Sequence, residues 1–306
     1  MSLLSAIKGR GPSGYGYGST AEEVCAGVDL SGKTVLITGC NSGIGKESFR
    51  VLAARGAHVI AAARTVEKAQ ATAEELGFAG QASAVACELS EPASVFECVT
   101  QVKGLGRSID VLMLNAGIMA LPTLTLKCGY ELQFFTNHIG HFILATGLLD
   151  TLSEDARVVV LSSAGHQMTP RGGIDFENLD GSKGYDAWKF YGQSKLANLL
   201  FARELARKFE GTKRTANAVH PGVINTNLTR HMHPFLTRVF GLFESITLKS
   251  VAQGAATQCY VAVHPDVTQS GKYFADCDVA GTSRYGQDME LAARLWDESE
   301  RIVEGL

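Results

Sequence analysis

The chain has 306 residues, enough for one large α/β domain or two smaller ones, and 45% hydrophobic against 19% charged residues excludes a natively unfolded polypeptide. Lys plus Arg number 28 and Asp plus Glu 31, a net charge of −3, so the composition carries neither a nucleic-acid footprint nor a basic face for an anionic membrane. The seven cysteines are odd in number and scattered, without a C-x-x-C pair or a Cys/His cluster, as expected of reduced thiols in a cytosolic protein with no metal site.

At the N-terminus, residues 9–20 hold five Gly, two Tyr and one Pro, a composition that predicts a flexible leader over 1–28. Lys8 and Arg10 stand there without any acid before residue 20, which keeps organelle targeting open as the alternative to a cytoplasmic location. No apolar run reaches the roughly 18 residues of a membrane span.

From Asp29 onward short apolar runs alternate with segments of helical period. Strands are expected at 34–38, 57–62, 82–86, 111–114, 158–161 and 215–219, and helices at 46–55, 94–102, 196–209 and 289–303. Most of these runs are apolar on both faces, the mark of parallel strands covered by helices on either side. The pattern predicts one doubly wound α/β domain over 29–306.

The first strand ends in Thr38-Gly39-Cys40-Asn41-Ser42-Gly43-Ile44-Gly45 and runs directly into a helix. Glycines there allow a tight turn and bring backbone N–H groups to a pyrophosphate at the helix N-terminus, although a turn that merely needs positive φ uses glycine too. The second strand has no acid at its end and is followed by Arg64, which pairs with a 2′-phosphate and favours NADP(H) over NAD(H); a solvated surface arginine is the plainer reading. Lys46 is a second, less directly aimed cation. Tyr191 and Lys195 are spaced to share one face of a helix, where an ammonium lowers a phenol's pKa and makes it usable as an acid or base. The pair alone is common on helix surfaces.

Together these segments resemble the short-chain dehydrogenase/reductase family from Asp29 to about Val303. Thr38 to Gly45 matches the family's cofactor turn and Asn115-Ala116-Gly117 the turn after its fourth strand. Asn137 lies in Thr136-Asn137-His138-Ile139-Gly140-His141-Phe142, Ser163 follows the fifth strand, and Pro221-Gly222 through Thr226 follows the sixth. The details are similar to the retinol dehydrogenase, WW-domain oxidoreductase and Tic32-like branch. The resemblance implies a single-domain Rossmann-type fold with a substrate lid over about 223–250, and an oxidoreductase for an apolar ketone or aldehyde and its alcohol. An NADPH-binding sensor or scaffold with little turnover is the alternative.

The roles implied are residue by residue. Tyr191 is the acid/base, Lys195 lowers its pKa and holds the nicotinamide ribose, Ser163 rather than Ser162 binds the substrate oxygen, and Asn137 completes the proton path through a water. The cofactor set is Gly39, Asn41, Ser42, Gly43, Ile44, Gly45, Arg64, Glu88, Leu89, Asn115, Ala116, Gly117, Tyr191, Lys195, Pro221, Gly222, Val223 and Thr226. Glu88 stands where the family has Asp beside the adenine, so the Leu89 backbone is the other candidate there. The resemblance also implies a homodimer or homotetramer, with a monomer as the alternative in this branch. His138 and His141 lack a third partner for metal binding, the apolar stretch around Phe235 and Phe240 reads as lid, and Cys128 and Cys259 read as small buried hydrophobes.

Overall fold

The computed structural model describes residues 9–224 and 249–306. A single helical turn, α1 (Ala21–Val24), precedes the alternation of β1 (Thr34–Thr38), α2 (Gly43–Ala54), β2 (His58–Ala63), α3 (Val66–Glu75), β3 (Ala82–Ala86), α4 (Pro92–Gly104) and β4 (Ile109–Leu114). A small hairpin of β5 (Leu126–Lys127) and β6 (Tyr130–Glu131) leads into α5 (Leu132–Phe134), which passes through a π turn over Phe135–Ile139 into α6 (Gly140–Gly147). Then come β7 (Leu152–Leu161), α7 (Ala187–Lys208), β8 (Thr215–His220), α8 (Val251–Val263), β9 (Tyr273–Ala275), β10 (Asp278–Val279) and α9 (Met289–Glu304).

Eight strands form one sheet in the order β10-β9-β8-β7-β4-β1-β2-β3, parallel throughout except where β10 runs back against β9. Alternation along each strand divides the core in two. Leu36, Ile60, Leu112 and Val158 face the helices α4 to α7 and α9, while Val35, Ile37, Val59 and Met113 face α1, α2, α3 and α8. This is the doubly wound Rossmann-type sheet expected from the apolar runs. Its connections leave β1 and β4 as neighbours whose loops diverge, and that crevice at the carboxyl ends is where such sheets take ligands. Among the described residues, no helix is long and apolar enough to cross a membrane.

Several elements differ from expectation, among them β7, which starts at Leu152 rather than 158, and the helices α3 and α8, which no expected segment covers. Asp186 caps α7 by accepting from the backbone N–H groups of Trp188 and Lys189, so the helix starts at Ala187, well before residue 196, and carries Tyr191 and Lys195 within it. β9 and β10 are too short to stand out as apolar runs. Residues 9–28 are ordered against the sheet's second core: Tyr17, Ala21, Val24 and Cys25 are buried. Thr20 closes a capping box with Glu23 at the start of α1. The glycines there serve close approach, since a Cβ on Gly16 would lie 2.4 Å from the Gly9 carbonyl oxygen. Cys259 is buried as expected, but Cys128 is exposed in a turn with φ of +50°.

Candidate active site

The glycine turn is built by close packing. Gly39 and Gly43 take positive φ, and a Cβ on Gly45 would sit 2.3 Å from the Gly39 carbonyl oxygen and 2.5 Å from Asn115 Nδ2. Ser42, the N-cap of α2, makes no side-chain cap, and no acid stands in the first turn. The helix therefore presents its first N–H groups to the crevice without a side-chain acceptor, which fits a pyrophosphate. Asn41 is half-buried beside them, and Ile44 is buried under Gly254 of α8. Arg64 follows β2 on the surface and has no carboxylate partner among the described residues. Lys46 is held by Glu75 at 2.5 Å, so it is committed to the end of α3.

The turn after β4 is tied to the end of β1. The Asn115 side chain donates to the Thr38 carbonyl at 2.8 Å, and the backbone N–H groups of Asn115 and Ala116 both donate to Thr38 Oγ1, at 2.9 and 3.0 Å. Gln258 on α8 reaches the same place, donating to Asn115 Oδ1 at 3.2 Å and Ser48 Oγ at 2.6 Å. No spacing rule could have found Gln258, which lies 143 residues from Asn115. After β3, the Glu88 carboxylate accepts from Ser90, and the Leu89 carbonyl packs beneath Gly140, where a Cβ would approach it to 2.3 Å.

Four expected catalytic side chains meet at the carboxyl end of β7. Ser163 is extended, its Oγ accepts from the Gly165 N–H at 3.1 Å, and it lies on the side of Gly165 where the Tyr191 ring packs, a Cβ there coming within 3.4 Å of Ser163 Oγ. Ser162 turns the other way and donates to the Lys195 carbonyl at 2.7 Å, so Ser163 is the serine that faces the phenol. Gly165 leaves room for the ring, because a Cβ there would lie 2.8 Å from Tyr191 Cε1. Lys195 donates to the Leu161 carbonyl at 3.1 Å and lies 5.8 Å from the centre of the Tyr191 ring. Asn137, buried in the π turn, donates to Ser194 Oγ and the Ile118 carbonyl and accepts from the Ile118 N–H. π turns inside helices recur at functional sites. Gly117 closes the group, with its would-be Cβ 3.1 Å from Asn137 Oδ1 and 3.3 Å from Lys195 Nζ.

The electrostatics differ from expectation in one respect. Burial pulls the Lys195 ammonium down to about 8, but burial also pushes the Tyr191 phenol up, and the neighbouring Ser163 hydroxyl works against that rise. Spacing along a helix brings the ammonium close but says nothing of desolvation. Past β8, Gly222 takes φ of +92° over the stem of Lys249, and Val223 is exposed. Thr226 and most of the expected lid, including Phe235 and Phe240, lie outside the described residues. Among the described residues, no group of three His, Cys, Asp or Glu side chains gathers where it could hold a metal ion. His138 and His141 are both turned into the interior.

Residues 33–176 match the sequence model of the short chain dehydrogenases. The chain is 42% identical to a short-chain dehydrogenase TIC 32 A, chloroplastic, of Brassica napus across all of both chains. It is 41% identical to mouse retinol dehydrogenase 12 over 90% of this chain and 88% of that protein. In three dimensions it is similar to a crystal structure of an uncharacterised protein from Mycobacterium paratuberculosis, with a TM-score of 0.74, 34% identity, and coverage of 94% of this chain and 98% of that one.

Proposed function

The chain belongs to the short-chain dehydrogenase family of nicotinamide-dependent oxidoreductases, and from there we propose that it interconverts an apolar ketone or aldehyde and its alcohol with NADP(H). The observation that carries this reading is the meeting of Ser163, Tyr191, Lys195 and Asn137 beside the glycine turn. Gly39 to Gly45 with the start of α2 would hold the pyrophosphate, Arg64 the 2′-phosphate, and Glu88 or the Leu89 backbone the adenine. Asn115 to Gly117, Lys195, Pro221 to Val223 and Thr226 would line the nicotinamide half. When bound, the nicotinamide would supply a hydride to the carbonyl carbon, or in the reverse direction take one from the alcohol carbon.

The protein's own groups handle the proton and the charge. A phenol held up by burial keeps its proton at neutral pH, so Tyr191 is ready to give it to a carbonyl oxygen as the alcohol forms. Ser163 Oγ binds that same oxygen and stabilises the charge that develops on it. The Lys195 ammonium stabilises the tyrosinate left behind and passes a proton to it, and a proton from solvent, relayed through a water held at Asn137, would replace the one Lys195 gives up. In the alcohol-to-carbonyl direction each step reverses.

The test is a fluorescence titration with NADPH and NADH followed by a panel of aldehydes and ketones of increasing apolar bulk. Loss of the NADPH preference in Arg64→Ala and loss of turnover in Tyr191→Phe are the expected results. Equal binding of both cofactors by the wild type would remove Arg64 from the site, and tight NADPH binding without turnover would replace the enzyme with a sensor.

A further inference from the structure

His141 is fully buried on α6, four residues beyond Asn137, and its ring spans two parts of the proposed site. Nε2 lies 2.9 Å from Thr38 Oγ1 and Nδ1 lies 2.9 Å from the Asn137 carbonyl oxygen. Counting protons leaves a single arrangement. Thr38 Oγ1 has one proton and two lone pairs, and it already accepts from the Asn115 and Ala116 N–H groups, so its proton goes to His141 Nε2. At the other end a carbonyl only accepts, so Nδ1 must carry the ring's proton and donate it. Both ends of the ring thus require the same neutral tautomer. Burial, with the Lys195 ammonium nearby, holds the imidazole in its neutral form by bringing its pKa down to about 4.

We infer that His141 is a positioning residue that joins the cofactor side of the site to its proton path, with Thr38 as the link. Thr38 immediately precedes Gly39, and its hydroxyl organises the Asn115-Ala116-Gly117 turn. That turn is the surface on which the Asn137 amide and the Lys195 ammonium rest at Gly117. The π turn opens the helix at Asn137, and the His141 N–H takes up its carbonyl. A shift at either end of the imidazole therefore moves groups at the other. The alternative is a core histidine that only fills space. This inference rests on the proposed reductase reading for its kinetic consequence and not for its binding consequence.

His141→Phe keeps a flat ring, somewhat larger than the imidazole, and removes both hydrogen bonds, and Thr38→Val removes the hydroxyl. Each is expected to raise the Kd for NADPH about fivefold and to lower kcat about tenfold, with the carbonyl KM within about twofold, the size of losing one or two neutral hydrogen bonds. Because the two residues act through one chain of bonds, the double variant is expected to lose no more than the worse single one. Thr38→Ser is expected to recover most of the loss, and His141→Gln, which keeps one end of the link, to fall between wild type and His141→Phe. The last two also serve if the Phe variant does not fold.

Additive losses, or unchanged Kd and kcat in His141→Phe, would overturn the inference. So would a loss explained entirely by a lower folded fraction in urea titration. Tyr191→Phe run alongside separates the two readings: turnover retained there removes the reductase proposal, while the NADPH affinities still decide the role of His141.

Discussion

Among the described residues two lysines are buried, and they are buried for opposite purposes. Lys249 has its ammonium 2.6 Å from the Asp276 carboxylate and 4.7 Å from the centre of the Tyr17 ring. Lys195 has the Leu161 carbonyl and the Tyr191 ring, and no carboxylate partner among the described residues. The first is a paired charge that ties the N-terminal segment to the turn after β9. The second is left without a counter-ion at the end of β7, and the cost of that desolvation appears as a pKa lowered to about 8. A charge that is paired is held still, whereas one that is left uncompensated remains able to respond when a partner's charge changes beside it.

The largest expected effect comes from removing the uncompensated charge. Lys195→Met should lower turnover about a thousandfold, within the range of general acid–base contributions, without lowering the urea midpoint, because an apolar side chain replaces a desolvated ammonium. The pH dependence sharpens the same point. Carbonyl reduction by the wild type should fall as pH rises through about 8, where Lys195 loses the charge that supports the tyrosinate. Stability should move the other way. Between about 8 and the ordinary lysine value of 10.5 the unfolded chain binds the proton that the folded chain has released, so stability contributed by Lys195 rises with pH. Lys195→Met should lack that rise, and a wild-type urea midpoint that drops over this window relative to the Met variant would contradict the assignment.

Breaking the paired lysine should be felt in stability and little in turnover, and unequally for its two members. The Lys249 side chain is 1% exposed and that of Asp276 33%. Asp276→Asn leaves an ammonium in the interior with no carboxylate, and should cost about 3 kcal/mol. Lys249→Met leaves a carboxylate that still reaches water and keeps the stem under Gly222, so it should cost about 1 kcal/mol. Equal losses in urea denaturation would mean that water reaches both groups alike.

The contrast between these regions is also a contrast in what the amino-acid sequence makes readable. The six main strands announce themselves because most are short, largely apolar runs, and the glycine turn and the Tyr191 to Lys195 pair lie within single short segments too. Ser163 is legible through its place at a strand end. Thr38 with His141, Gln258 with Asn115, and Tyr17 with Lys249 and Asp276 are not, since each joins residues that only the folded chain brings together. The N-terminal glycines mislead for a related reason. Glycine is as useful for backbone that must approach another surface as for backbone that must flex, and a Cβ on Gly11 would collide with the Asp278 carboxylate. Burial is equally invisible from spacing, and it is burial that raises the Tyr191 pKa.

The smallest expected effect isolates what the N-terminal segment contributes to the Lys249 pair. Tyr17 is buried, so truncation to Ala would mix a cavity with the loss of the ring. Tyr17→Leu keeps apolar bulk and removes the quadrupole that faces the ammonium, and should cost about 1 kcal/mol. Tyr17→Phe retains the ring and gives the reference for the hydroxyl. If the ring acts through the charge, the Leu substitution should cost less when made in Lys249→Met than in wild type, a coupling that a double-mutant cycle in urea reads directly. Equal costs in both backgrounds would make Tyr17 a packing residue, and Asp276 alone would then account for how the buried lysine is held.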